Sequence, residues 1–300
     1  MTRVALKIDV DTYRGTREGV PRLADLLERL GIRATFLFSL GPDHTGRAIR
    51  RVFRRGFLGK VRRTSVVGHY GVKTLLYGVL LPGPHIGRRC RAQLTDIARR
   101  GFEVGVHTFD HVRWQDGVAT ADEAWTRREL SRARDAFLEA FGRPPLVHGA
   151  AGWQMNRYVP ALEEELGFRY ASDTRGSGPF LPLADSGEAV VPQLPTTLPT
   201  LDELIGREDL GDDPLAHLLA LSGGAAARDH VYTLHAELEG GKLRGVFERL
   251  LRAWQERGTE LCDLGAYHAT LARDALPRCR VVAGTVAGRS GTLAVQSARG

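Results

Sequence analysis

Along this chain, short runs in which apolar and polar residues alternate are separated by longer stretches with helical spacing. Residues 4–10, 34–40, 103–109, 145–150, 168–172, 190–194 and 231–238 read as strands, rich in aliphatic and β-branched side chains and bounded by turn formers. Residues 20–30, stopping at Gly31, and 121–141, stopping at Gly142, carry apolar positions at helical intervals and end where a left-handed glycine caps a helix. Strands in regular alternation with helices predict one α/β domain with a parallel sheet, either closed as a barrel or doubly wound. No internal repeat points to a solenoid.

The phase of three runs separates those two architectures. Strand side chains alternate, so Val4, Leu6, Ile8 and Val10 share one face while Ala5, Lys7, Asp9 and Asp11 share the other. Val104 and Val106 likewise oppose Glu103, Gly105 and His107, and Tyr232, Leu234, Ala236 and Leu238 oppose Thr233, His235, Glu237 and Glu239. A doubly wound sheet, covered on both faces, reads as continuously apolar. The alternation predicts a barrel with a polar interior and its chemistry at the C-terminal mouth.

Three clusters fall at or just beyond those strand ends. Asp9 and Asp11 sit two strand steps apart, about 7 Å at the Cα atoms, and repel unless a cation lies between them; alone, Asp11 or Thr12 equally reads as the cap of a following helix. His107 and His111 are spaced so that one helical turn aims both imidazoles at a point, although such pairs also occur idly on exposed helices. Two histidines and a carboxylate leave open coordination positions and suit Zn, Fe, Mn or Co at a catalytic centre. His235 and Glu237 form the third cluster, with a core histidine bonded to backbone as the alternative. Together the clusters suit metal-assisted hydrolysis of an amide or ester, with a carboxylate to take a proton and a histidine to give one.

The segments Ile8-Asp9-Val10-Asp11, His107-Thr108-x-x-His111 and Leu234-His235 resemble the polysaccharide deacetylases, carbohydrate esterase family 4 with its NodB homology domain. The resemblance implies a distorted (β/α) barrel and one divalent transition metal, Zn, Mn, Co or Fe. It implies Asp9 as catalytic base, Asp11, His107 and His111 as metal ligands, and His235 as general acid. The longer runs 8–21, 172–176, 194–200 and 235–240 are similar to a branch that removes formate from a formamido sugar on a lipid-linked sugar phosphate, in the lipid A modification behind polymyxin resistance. Removal of acetyl from an N-acetyl sugar, opening of a small cyclic amide, and a non-catalytic lipid-binding barrel are the other readings. Two positions depart from the family pattern. Val10 separates the acids, and residues 148–153 lack the family's arginine that braces the base. Arg175 reads as its substitute, as a clamp for substrate phosphate, or as a surface residue in a glycine-rich turn; Trp153, Arg14, Arg17 and Arg175 are the expected substrate contacts.

Composition changes the picture through its distribution. The 300 residues carry 42 Lys and Arg against 35 Asp and Glu, a net charge of +7. Twelve of the basic residues and no acid fall within 44–95, so the remaining 248 positions sum to −5. Eight lie within 47–63, where Ile49, Val52, Phe53, Phe57 and Val61 line one side of a helical wheel and most arginines the other, although Gly56 and Gly59 weaken the helix. This reads as an interfacial helix on an anionic membrane, with 72–81 as a second contact, or as a charged solvated face packed on the barrel. A nucleic-acid partner is not expected, because no recognition motif accompanies the charge. The expectation is a single domain, 1–300, with 44–95 a basic membrane-facing insertion. Three widely spaced cysteines make no disulfide framework, and no apolar run reaches the roughly 20 residues of a membrane span. With no signal-peptide core at the start, the reading is a cytoplasmic protein, peripheral on the inner face of the inner membrane.

Overall fold

The computed structural model describes residues 2–48, 72–184, 187–188, 190–207, 213–223 and 228–298. Their strands are β1 (Arg3–Val10), β2 (Thr35–Ser39), β3 (Glu103–Thr108), β4 (Val147–His148), β5 (Tyr170–Ala171), β6 (Leu181–Pro182), β7 (His230–His235), β8 (Glu260–Cys262), β9 (Arg278–Cys279), β10 (Val281–Gly284) and β11 (Leu293–Gln296). The main sheet runs β5-β4-β3-β2-β1-β7 and is parallel throughout. β7 pairs along one edge of β1, and the other edge is shared by β2 at residues 7–10 and β8 at residues 3–5.

Between β5 and β7 the barrel closes through an irregular segment. Leu194 N donates to Ala171 O at 2.8 Å, and Thr197 N and Leu198 N donate to Val231 O at 3.1 and 3.3 Å. The strand expected over 190–194 lies here and is reduced to isolated bridges from Gln193 to Ala171 and to Phe180. Pro192 and the following Pro195 remove donors that a longer ladder needs, so the pairing ends after two backbone bonds to Ala171 and two to Phe180. The run expected to continue to residue 238 also stops early. Leu238 N and Glu239 N both fold back onto His235 O, which puts Glu237 in a turn and not on a strand face. β8 and the strands after it had no clear signal in the sequence pattern.

The alternation of β1 sorts its side chains as expected. Val4, Leu6, Ile8 and Val10 join a core with Leu23, Leu27, Phe247 and Trp254, while Ala5 faces inward with Leu37, Val147, Tyr170 and Val231. The helix Val20–Arg29 buries Val20, Leu23, Ala24 and Leu27 on one stripe, and Arg244–Glu256 buries Phe247, Leu250, Leu251 and Trp254. Each large side chain so buried contributes about 1.5–3 kcal/mol. The helix Glu123–Phe141 begins two residues later than expected, because the Asp122 carboxylate accepts from Trp125 N at 2.7 Å and so sets the cap.

The basic insertion leaves the barrel between β2 and β3, and all but two residues of the expected amphipathic helix over 47–63 lie outside the described residues. Beyond it come the helices Val72–Leu76, Ile86–Arg89 and Arg91–Arg99, with Val79, Leu80 and Leu81 exposed in the turn after the first. The three cysteines are buried and unpaired. Among the described residues no helix is long and apolar enough to cross a membrane.

Candidate active site

The C-terminal end of β1 delivers Asp9 and Asp11, and the corner between β3 and the helix His111–Gly117 delivers His107 and His111. The two histidines meet through this corner and not through one helical turn, since His107 is still on the strand. Asp110 caps the helix by accepting from Arg113 N at 3.1 Å. Asp11 Oδ1 lies 3.2 Å from His107 Nε2 and 3.4 Å from His111 Nε2. His107 Nδ1 is 2.6 Å from Gly149 O, which only accepts, so the proton sits on Nδ1 and Nε2 presents its lone pair.

Asp11 Oδ1 is buried and has no hydrogen-bond partner. Burial pushes the Asp11 carboxyl up, but His111 and His107 outweigh it and hold it well below the usual carboxylate range. Burial lowers the His111 imidazole and favours its neutral, ligating form. Lone pairs converging on one another in a buried place are what a divalent cation neutralises, and the donor set fits one. Glu237 fixes the turn that carries Asp11: its Oε1 accepts from Asp11 N, Thr12 N and Thr12 Oγ1 at 3.1, 2.8 and 2.7 Å. Burial, then the Asp11 charge, push Glu237 up to about 8.

Asp9 stands beside this group, with Oδ1 3.7 Å from His107 Nδ1 and without a hydrogen bond. Its cation is Lys7, fully buried two strand steps earlier on the same face, with Nζ 3.5 Å from Asp9 Oδ2 and 2.7 Å from Ser172 O. The β1–β7 register sets His235 directly alongside Asp9. His235 Nδ1 is buried and without a partner. Burial alone lowers this imidazole, yet Asp202 and Asp11 lift it above its ordinary value. A candidate metal-binding group, a buried carboxylate and a histidine held toward its protonated form thus share one mouth.

The polysaccharide deacetylase family model matches residues 2–171, more than half of the chain. The chain belongs to this family. It is 36% identical over 265 residues, 88% of this chain and 85% of the other, to a Shewanella sediminis protein named 4-deoxy-4-formamido-L-arabinose-phosphoundecaprenol deformylase ArnD. A protein of the same name from Wigglesworthia glossinidia brevipalpis is 31% identical over 290 residues, 94% of this chain and 98% of that one. The fold matches a crystal structure named for a polysaccharide deacetylase of Mycobacterium smegmatis, with TM-score 0.63 over 95% of both chains at 18% identity.

The other expected contacts are placed unequally about the site. Arg175 does not reach Asp9: it is buried, with Nη1 2.5 Å from Glu203 Oε1 and its guanidinium 5.1 Å from the Trp153 ring. Trp153 is buried at φ +51°, stands edge-on to His235 with ring centroids 6.3 Å apart, and donates to Thr196 Oγ1. Arg14 pairs with Glu18 at 3.1 Å beside a cleft of about 210 Å³ that Thr12, Arg22, Glu237 and Lys242 also line, and Arg17 covers the Tyr13 ring.

A second group of ligand-type side chains, His148, Glu163 and Asp173, is fully buried. His148 Nδ1 lies 2.5 Å from Glu163 Oε1 and 3.1 Å from Asp173 Oδ1, so hydrogen bonds already satisfy both carboxylates. Gln193 donates to Asp173 Oδ2 at 2.6 Å, and Asp173 Oδ1 accepts from Ala150 N at 2.7 Å. The network therefore fixes the backbone on both sides of Gly149, whose carbonyl orients His107. Sequence reasoning missed Lys7, Asp202 and this network. Only Lys7 carried a signal, its place on the Asp9 face of β1.

Proposed function

We propose that the chain is a metal-dependent deformylase acting on 4-deoxy-4-formamido-L-arabinose carried by undecaprenyl phosphate, releasing formate and leaving the 4-amino sugar on its lipid. The observation that carries the reading is the convergence of Asp11, His107 and His111 beside Asp9 and His235, in a chain whose relatives over most of its length bear that deformylase name. Asp11, His107 and His111 hold one divalent transition metal, Zn, Mn, Co or Fe. Bound there, it supplies a Lewis acid for the formyl oxygen and lowers the pKa of a water. Asp9 takes a proton from the attacking water, with Lys7 keeping its carboxylate in place. His235 gives a proton to the departing sugar nitrogen, so the C–N bond breaks to formate and an amine.

Arg14, Arg17 and Trp153 line the approach for sugar and phosphate, while Arg175 positions Glu203. The whole of 1–300 acts as one catalytic unit, with 44–95 turned to the anionic inner face of the inner membrane, where a polyprenyl-linked substrate must be met. The test is release of formate by metal-loaded protein from the lipid-linked formamido sugar, with release of acetate from the N-acetyl counterpart measured beside it. Formate release that is lost in Asp9→Ala is the expected result. Preferential acetate release makes the chain a deacetylase of another sugar, and no release of either leaves a non-catalytic barrel.

A further inference from the structure

The hairpin of β10 and β11 follows the stretch matched by the family model, yet its turn reaches into the acid side of the site. β11 is tied down by Arg175 N donating to Ala294 O at 2.9 Å, Gln296 N donating to Arg175 O at 2.8 Å, and Gln154 Nε2 donating to Thr292 O at 2.7 Å. At the turn, Gly288 has φ +86°, and a Cβ there would lie 2.7 Å from Glu203 O. Only glycine permits that approach, and the next residue is Arg289.

Arg289 Nε donates to Glu203 Oε1 at 2.7 Å, and Nη2 donates to Thr200 Oγ1 at 3.1 Å. Nη2 also holds the Asp202 carboxylate, 3.1 Å from Oδ1 and 3.0 Å from Oδ2, while the guanidinium lies 4.9 Å from the Trp153 ring centroid. Glu203 is fully buried and receives Arg175 as well. Two guanidinium groups thus fix two adjacent carboxylates against one indole ring. A planar fork with several donors makes this set of bonds, and a lysine makes only part of it.

The Trp153 ring that Arg289 covers stands edge-on to His235, with ring centroids 6.3 Å apart, and His235 Nδ1 is buried with no hydrogen-bond partner among the described residues. We infer that Arg289, fixed by Asp202 and Glu203, is a positioning residue that holds the Trp153 ring in place against His235, and that the C-terminal hairpin is a working part of the enzyme. The inference rests on the proposed role of His235 as proton donor.

The test compares wild type, Arg289→Ala and Arg289→Lys, each full length and metal-loaded. In Arg289→Ala, kcat for formate release is expected to fall about 10- to 100-fold, with KM and bound metal per chain unchanged. Low, non-denaturing guanidinium chloride should restore part of that loss and leave wild type unaffected. Arg289→Lys should retain the fold and an intermediate kcat. Unchanged kcat in either variant, a loss confined to KM, or a folded Arg289→Ala that guanidinium does not rescue overturns the inference. A readout without substrate is the ¹⁵N signal of the His235 imidazole, assigned with His235→Gln, which should move in both Arg289 variants; an unmoved signal also overturns it. Wild type that releases no formate sinks the deformylase reading instead, and the imidazole signals then decide the role of Arg289.

Discussion

Asp9 and Asp11 leave β1 from the same face and meet different surroundings. Asp11 is met by imidazole nitrogens, Asp9 by the buried ammonium of Lys7 at 3.5 Å. Lys7→Met leaves the Asp9 carboxylate buried without its cation, at a cost of about 3–5 kcal/mol. Denaturant unfolding should show that loss, and kcat should fall more than about tenfold while bound metal stays constant; full activity would remove Lys7 from the site. For His235 the sign follows from its lifted pKa. A proton donor with a raised pKa stays active to higher pH, and Asp202 is the first of the groups that raise it. Asp202→Asn should therefore move the alkaline limb of kcat to lower pH at constant metal loading, and an unmoved limb belongs to some other group. The phase of β1 already placed Lys7 on the Asp9 face, but the expectation of an arginine turned attention to Arg175. Which cation reaches a carboxylate depends on where 175 folds relative to 9, and residue pattern carries no such distance.

At the level of elements, legibility followed how each strand is buried. β1, β3 and β7 alternate because one face meets helices and the other lines a polar interior, so their faces could be read. β4 and β5 are two residues long, and the 190–194 run is cut by prolines, so pattern alone misjudged the closure of the barrel. The His148, Glu163 and Asp173 network escaped notice because its members sit on three separate elements. It supports the end of β4, and through Gly149 O it supports His107. Asp173→Leu should weaken metal binding about 10- to 100-fold without removing a ligand, as a metal titration of the folded variant would show. The same network gives stability a pH dependence. Burial lowers His148, but Asp173 and Glu163 outweigh it and push it up to about 10. Its contribution is therefore complete below its ordinary value near 6.5 and is lost as pH rises through about 10. Glu163, also raised, acts in the same direction, and Asp173, lowered, loses its share only in acid. Wild type should lose more unfolding free energy than His148→Gln between neutral pH and about pH 10; parallel curves would take the network out of the pH response.

For the whole molecule the uneven charge matters more than the total. Twelve basic residues in 44–95 ride on a remainder of net −5, and the exposed turn of Val79, Leu80 and Leu81 follows the most basic stretch. That turn is linked to the side of the barrel that carries the candidate metal-binding group. Arg47 Nε donates to Gly78 O at 2.9 Å, and His44 Nδ1 is 2.7 Å from the Asp110 carboxylate that caps the helix beginning at His111. The apolar tip, Arg47 and the candidate metal-binding group are thus joined by short links, which suits a mouth presented to a lipid-borne substrate. A basic side chain near an anionic surface contributes about 1 kcal/mol at best. The eight in 47–63 could therefore hold the protein at a bilayer reversibly and in a salt-dependent way. Deleting 47–63, or replacing its basic residues by glutamine, should abolish flotation with anionic vesicles and lower formate release from the lipid-linked sugar far more than from a soluble formamido sugar. Raised salt should reproduce the first effect in wild type. Equal losses on the two substrates would mean that the stretch supports the barrel itself and does not serve its approach to the membrane.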